Sequence, residues 1–475
     1  MNILIIVLYL IALVAFGYLG KKRAHNAEDF RVAGRRLGPV LYTGTMSALL
    51  LGGASTVGGV GLGYTYGISG MWLVTAIGVG MLLLSLIFAP IITRVKLYTV
   101  SQVLTLRYGV RTTQISSIVM LAYTVMLTVT STAAYASIFR VLFDIDRTWA
   151  ILLGAIIVIG YSMLGGMWSI TLTDMMQFIL MTVGVFFLLL PFSLHHAGGW
   201  DGLHQRLDAE FFAVGSIGTE SIITYFVIYT FGLLVGQDIW QRVFTARSPE
   251  VSRWGGTAAS IYVIIYSVAG AIIGMSARVI EPHIEHRDDV FATLAQNYLP
   301  IGIGGIVLAA GVAAMMSTAS GSLIASATVA RVDVVPFLLG KDSLQNSDES
   351  SDSALVADRW YVLGFGVITT VIALFLTDAI TGLTIAYDIL VGGLLVAILG
   401  GLLWKRGTGT AAALSMAVGS IGVILGMMIY GVMANEPIYI GLVASFIVYI
   451  VASLLTKPTD PQVAQRWQKR IRQGA

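Results

Sequence analysis

Cysteine is absent from the 475-residue chain, which excludes disulfides and thiolate metal sites. Charge is scarce: Asp, Glu, Lys and Arg make up 11% of the residues, against about 25% in an ordinary soluble domain. No Gly-x-x-x-x-Gly-Lys-Ser/Thr loop occurs, so a phosphate-cradling, ATP-driven machine is disfavoured. No nucleophile and base fall together in a way that would make an enzyme, and neither a ring of charges nor repeated filter loops suggests a channel. Histidine is limited to six residues, His25, His195, His196, His204, His283 and His286. All are expected in solvated loops rather than at a metal.

What the chain does have is apolar surface. Hydrophobic residues make up 57% of it, and the mean hydropathy is +0.85. It breaks into thirteen apolar stretches, approximately 2–20, 41–66, 70–93, 114–142, 148–164, 169–193, 220–241, 255–279, 301–330, 359–377, 380–403, 409–431 and 437–455. Each is long enough to cross a hydrocarbon core of about 30 Å. Backbone polar groups in lipid must be satisfied within the segment, and no barrel-like alternation is visible, so the spans are expected to be helices. The first stretch is followed by Lys21, Lys22 and Arg23 with no basic segment before it, and reads as a retained span rather than a secretory signal. With the amino terminus outside, 23 basic residues fall on cytoplasmic segments and five, Arg140, Arg147, Arg206, Arg278 and Arg287, on external ones. This positive-inside bias predicts an integral plasma-membrane protein with its N-terminus out and C-terminus in.

The loops are too short for an independent soluble domain. The longest are 194–219, with an amphipathic piece from Trp200 to Phe212, 280–300, and 331–358. The last contains a polar, acidic run from Asp342 to Ser353 that reads as a disordered linker. Glycine is concentrated: Gly52, Gly53, Gly58, Gly59, Gly61 and Gly63 share the second span with Ser55 and Thr56. Such a cluster serves either close helix approach or a break, and a break is tolerated only beside a cavity or within protein. The hydroxyls favour the break. The seventh span is interrupted between Gly232 and Gly236, ahead of Gln237 and Asp238. Setting the first span aside, these two open successive groups of five, the spacing of an inverted-repeat transporter.

Ionisable groups inside spans are costly and therefore candidates for function. Asp174 sits near the start of its span, where it could simply complement the helix dipole. Asp238 has Arg242 four residues on, and a local ion pair is expected. Asp388, deep in the eleventh span, has no evident partner. In the ninth span Ala314, Ser317, Thr318 and Gly321 share a helix face. Hydroxyls beside the freed carbonyls of a broken helix can ligate a hard cation, although small polar residues also promote packing.

At these residues the chain resembles the sodium/solute symporters, which include sodium/galactose, sodium/proline and sodium/pantothenate carriers. The most specific match is Tyr161-Ser162-Met163-Leu164-Gly165-Gly166-Met167-Trp168, followed by Thr173-Asp174 and Gln177. Arg107-Tyr108-Gly109 and the stretch from Gly236 to Arg242 support it. The resemblance implies a sodium site formed by the carbonyls of Ala48, Leu51 and Ala314 with the hydroxyls of Ser317 and Thr318. It implies a second ion at Asp174, Ser317 and Ser320 in some members, but Gly321 stands where those members use a further serine. Substrate positions implied or suggested by the pattern are Ser55, Thr56, Gln237, Trp240, Thr384 and Asp388. The sugar carriers' polar contacts correspond to Leu50, Ser55 and Met71, which argues against a sugar, and Leu50 replaces the proline carriers' aspartate.

The resulting expectation is an all-α polytopic membrane protein with a five-plus-five inverted-repeat (LeuT-like) core, one extra N-terminal helix and two extra C-terminal helices. Its segments are 1–20, the repeats 41–193 and 220–403, the helix pair 409–455 and a basic tail 456–475. The expected function is sodium-coupled symport of a small polar organic solute: an amino acid, carboxylate, vitamin or amine. Na⁺ is the coupling ion, the lipid bilayer the surroundings, and neither nucleic acid nor an obligatory protein partner is implied. Asp388 is expected to counter a substrate ammonium or to carry a coupled proton. The alternatives are a proton-coupled carrier of the same fold using Asp174 or Asp388, and a membrane receptor or scaffold.

Overall fold

Long apolar runs with few interior charges leave the backbone one way to satisfy itself, and the computed structural model is built of helices throughout. It describes residues 1–341, 352–376, 379–432 and 434–473. Most of the acidic run expected to be a linker lies outside the described residues; Asp352 and Ser353 begin a helix. Among the described residues there are no strands, only an isolated bridge between Leu37 and Ala246.

Among the described residues eleven helices are long and apolar enough to span a membrane, and a twelfth span is a bent pair. One of the eleven, Ala54–Val95, runs to 42 residues, about twice the length a bilayer needs. It doubles back where Gly67 adopts φ +63°, a conformation L side chains rarely take. The two arms run antiparallel, so that a Cβ on Gly59 would lie 3.3 Å from a Val74 methyl. Counted as two arms, the spans number thirteen, as hydropathy predicts. They are α1 (Asn2–Lys21), α2 (Pro39–Leu50 continued by 54–66), α3 (72–95), α4 (Arg111–Phe143), α5 (Arg147–Gly165), α6 (Met167–His196) and α7 (Thr219–Val235 with Gln237–Val243). There follow α8 (Pro249–Ile280), α9 (Ile303–Leu338), α10 (Asp352–Phe375), α11 (Ala379–Leu403), α12 (Gly409–Tyr430) and α13 (Glu436–Leu455). The short amphipathic α14 (Pro461–Gln473) closes the described chain.

The interrupted spans are α2 and α7, five apart, and each opens one half of a five-plus-five core. α9 lies at its centre: 89% of its apolar window is buried, and it packs on α4, α6 and α2. The glycine motif between α5 and α6 explains one of these junctions. Gly166 has φ +55°, and a Cβ on Gly165 would meet the backbone of Gly20 in α1. Tyr161 then donates to the Met316 carbonyl of α9 at 3.1 Å, and Gln177 to the Tyr9 hydroxyl of α1 at 3.1 Å. Arg107 and Tyr108 similarly tie 100–108 to the end of α11, donating to the carbonyls of Gly401 (3.0 Å) and Ala397 (2.9 Å). Three histidines differ from expectation. His195 and His196 form the last turn of α6, and His204 lies in the helix Gly199–Arg206, because the amphipathic 199–212 segment folds against Met275 of α8.

Close packing in lipid depends on glycine where backbones touch. Gly63 of α2 lies against α8, and a Cβ there would sit 2.6 Å from the Ala271 carbonyl oxygen and 2.7 Å from its Cα. Backbone cannot yield as a side chain tip does. Gly63→Val is expected to cost at least the 1–3 kcal/mol typical of overpacking, read as a lower unfolding midpoint of the detergent-purified protein. An unchanged midpoint would show that α2 and α8 are not held this closely.

Candidate functional site

The break in α2 is built by its sequence. The helix Pro39–Leu50 stops at Leu51 (φ −94°, ψ 47°), and helical structure resumes at Ala54. Across the gap the Gly52 carbonyl accepts from the amides of Ser55 (3.1 Å) and Thr56 (2.9 Å). The Ser55 hydroxyl donates to Leu50 O at 2.8 Å and the Thr56 hydroxyl to Leu51 O at 3.1 Å. The hydroxyls inside the glycine cluster thus satisfy carbonyls the broken helix leaves free. Glycine is required because α9 passes so near: a Cβ on Gly52 would lie 2.6 Å from Thr318 Oγ1. That hydroxyl donates to Leu49 O at 3.1 Å and approaches Ala314 O at 3.4 Å. A hydroxyl and two carbonyls from two spans therefore gather at the break, the chemistry a hard cation requires. The carbonyl that meets Thr318 is Leu49's, one residue beyond Ala48.

One turn away, α6 brings Asp174 to the same seam. Its carboxylate is fully buried. It accepts from Ser317 Oγ of α9 at 2.7 Å, from Arg242 Nη2 of α7 at 2.9 Å, and in a short hydrogen bond from Thr45 Oγ1 of α2. Four spans thus meet on one carboxylate. The expected local pair between Asp238 and Arg242 is not formed. Arg242 reaches across to Asp174, and Asp238 accepts from the Tyr123 hydroxyl at 2.9 Å. The reason lies in the break at Gly236 (φ −65°, ψ 131°), which bends α7 by 46°. Asp238 falls in the first turn of the new helix, where amides and the dipole favour a carboxylate, leaving the guanidinium for Asp174. Nor does Asp174 merely complement a dipole. Gly321 makes room for this arrangement, since a Cβ there would be 2.5 Å from Arg242 Nη1. Ser320 Oγ donates within its own helix, to Ser317 O at 3.0 Å.

Beside the break lies a cavity of about 310 Å³ lined by Leu50, Gly53 and Ser55 of α2, Met315 and Thr318 of α9, Tyr229 and Asp238 of α7, and Tyr387 of α11. Thr130 and Ser131 of α4 complete it, and it extends toward Arg140, Arg147 and Asp288 at one end of the molecule. The opposite end carries an ion pair between distant parts of the chain. There Arg31 grips Asp358 through two hydrogen bonds of 3.0 and 3.1 Å, and Gln241 donates to the Arg31 carbonyl at 2.8 Å.

The remaining sequence candidates fall elsewhere. Thr56 is turned toward α8, accepting from Tyr266 at 3.2 Å. Gln237 spends its amide on the 98–100 backbone, donating to Tyr98 O (3.0 Å) and accepting from Val100 N (2.9 Å). Trp240 is fully buried with its indole on Leu234 O. Thr384 and Asp388 are buried in α11 behind the cavity wall. Sequence reading missed Tyr229, Tyr387, Thr130 and Ser131. The hydroxyl-rich stretch Thr128-Val129-Thr130-Ser131-Thr132 in an apolar span was the available signal; the tyrosines, stacked edge-on at 5.4 Å, resemble ordinary core aromatics.

A family model described as the sodium:solute symporter family matches residues 30–419. The chain is 23% identical to a sodium/proline symporter of Staphylococcus aureus (strain JH9), in an alignment covering 96% of this chain and 93% of that protein. Among solved structures, the fold superposes with a TM-score of 0.83 on a sodium-coupled sialic acid symporter in a substrate-bound outward-open state. That pair is 18% identical, with 97% of this chain and 98% of the other covered. A nucleobase-cation-symport-1 family transporter, in a closed conformation with bromovinylhydantoin bound, gives a TM-score of 0.61 at 14% identity, over 93% of this chain and 98% of that one. These structural likenesses are likenesses of fold.

Proposed function

We propose that this chain, which belongs to the sodium:solute symporter family, carries a small polar organic solute across the cell membrane, driven by sodium. The observation that carries the reading is the junction of α2 and α9, where Thr318 Oγ1 lies within hydrogen-bonding range of both Leu49 O and Ala314 O. Sodium held there, with Ala48, Leu51 and Ser317 adjacent, joins the broken helix to the central span beside the cavity. Joining them organises the solute site, and by linkage the solute raises sodium affinity by the same factor. A coupling of about 1–3 kcal/mol is sufficient.

A single sodium ion fits the geometry better than two. The place beside Asp174 that a second ion needs is taken by the Arg242 guanidinium, and Gly321 provides no hydroxyl. For the solute, two carboxylates line the cavity, Asp288 exposed at one end and Asp238 buried beside the break, and Asp238 suits an ammonium of amino-acid size; Asp388 does not line it. The relatives named sodium/proline symporters are consistent with an amine-bearing solute. The two broken-helix groups, 41–193 and 220–403, act as the moving repeats. The cavity end with Arg140 and Arg147 faces outside and the Arg31–Asp358 pair faces the cytoplasm, the orientation that also puts the N-terminus out and the C-terminus in. Transport without chemistry is the reading, with no enzymatic step.

A thermal-shift screen of purified protein against amino acids, carboxylates, vitamins and amines, in sodium and in potassium buffer, tests it. A ligand at 100 times its Kd stabilises by about 2.7 kcal/mol, and the hit is expected only with sodium. The same solute should then accumulate in proteoliposomes under an inward sodium gradient. Accumulation driven by a pH gradient and indifferent to sodium would replace this reading with the proton-coupled one.

A further inference from the structure

Asp388 is an intramembrane acid with no part in either the sodium junction or the cavity. Asp388 is fully buried at the tenth residue of α11, and neither of its carboxylate oxygens has a hydrogen-bond partner. α11 carries no other charged residue. The elements packed against it are α4, α7, α12, α13 and the helix Val100–Tyr108, and the buried guanidinium among them on α7, Arg242, is committed to Asp174. Arg111 and Arg140 stand at the two ends of α4. Arg107 is committed to the Gly401 carbonyl, thirteen residues and about 20 Å along the axis from Asp388. On α4, Tyr123 serves Asp238. On α13, Tyr439 pairs with Thr224 and Tyr449 with Tyr108; Glu436 opens that helix, and Tyr430 ends α12. Glu220, at the start of α7, bonds Asn435. Tyr229 of α7 is the titratable group near enough to feel Asp388 electrostatically, and it offers no positive charge.

An ionised carboxylate without counter-charge or donor is not tolerated in such a place. A metal cation needs several oxygens around it, and among the described residues no hydroxyl or amide donates to this acid. The ligand that needs no coordination shell is a proton. We propose that Asp388 is a proton-binding site of the transporter, neutral in the conformation seen here and exchanging its proton with water when α11 moves. The placement supplies the coupling. Leu383 and Tyr387 of α11 form part of the cavity wall, so Asp388 lies one residue behind a surface that must rearrange for a solute to pass. The site itself is independent of the sodium assignment; its coupling to transport rests on the proposed function.

Infrared spectroscopy on the full-length protein in phospholipid vesicles at neutral pH tests both parts. The wild type is expected to show a carboxylic-acid C=O stretch that Asp388→Asn removes and Asp388→Glu retains at a shifted frequency. Identical wild-type and Asp388→Asn spectra in that region, with Asp388→Glu folded and also identical, overturn the site. Exchanging potassium for sodium should change the wild-type band, and a band indifferent to the exchange overturns the coupling. In Ser317→Ala/Thr318→Ala the band should persist while its sodium response disappears. That outcome separates failure of the sodium junction from failure of the proton site.

Discussion

Ser317→Ala/Thr318→Ala protein should need about 100-fold more sodium than wild type for the same thermal stabilisation, about tenfold for each hydroxyl removed, the range seen when groups that hold a metal site are lost. Thr318 carries the direct part of the effect. Its hydroxyl is the side-chain oxygen among the three that meet at the break, and the other two are carbonyls that no substitution deletes. Ser317 contributes through Asp174, to which it donates at 2.7 Å. Its loss also frees the carboxylate to turn toward the guanidinium. Potassium and choline titrations serve as controls, since the variant should look like wild type in both. A sodium midpoint equal to wild type in the double variant would place the ion elsewhere, and the single-sodium reading would go with it.

Arg242→Ala should be the most destabilising single substitution at the site, by about 3–5 kcal/mol, the usual cost of leaving one member of a buried ion pair uncompensated. Both side chains are fully buried, so water does not take over the lost contact, and Thr45 and Ser317 provide hydroxyls but no charge. Asp174→Asn should cost less, because an amide keeps the shape and can still bond both hydroxyls. The combination Asp174→Asn/Arg242→Ala should recover part of the loss, since it removes the unpaired charge itself. Denaturant or thermal unfolding of the four proteins in one detergent measures this. If the losses in the double variant simply add, the guanidinium is not there to neutralise Asp174.

Much of the fold was readable because membrane insertion is decided locally. A run such as 437–455 is apolar over its own length whatever its neighbours do, so hydropathy found the spans, and the two breaks declared themselves through Gly52-Gly53 and Gly232–Gly236. The Tyr161 to Gln177 motif and the hydroxyls of α9 pointed to the spans that meet at the break for a similar reason: hydroxyls and glycines packed into an apolar segment have few uses there.

The candidate site was less legible wherever a side chain chose between a near and a far partner. Asp238 and Arg242 are one helical turn apart, and sequence spacing favours their pairing. The bend at Gly236 instead gives Asp238 a helix start and the Tyr123 phenol, and sends Arg242 to Asp174, 68 positions earlier in the chain. The hydrogen bonds of Gln237 and Trp240, named among the substrate positions, go to the backbone.

The sequence by itself determined that this is a helical membrane protein with interrupted second and seventh spans, because burial of apolar length in lipid and the need to satisfy backbone polar groups act segment by segment. Tertiary structure alone decided which carboxylate holds the arginine, which lines the cavity and which is left with neither. A charge in a low-dielectric interior is governed by whatever lies within a few ångströms of it, and in this chain those neighbours come from spans far apart in sequence.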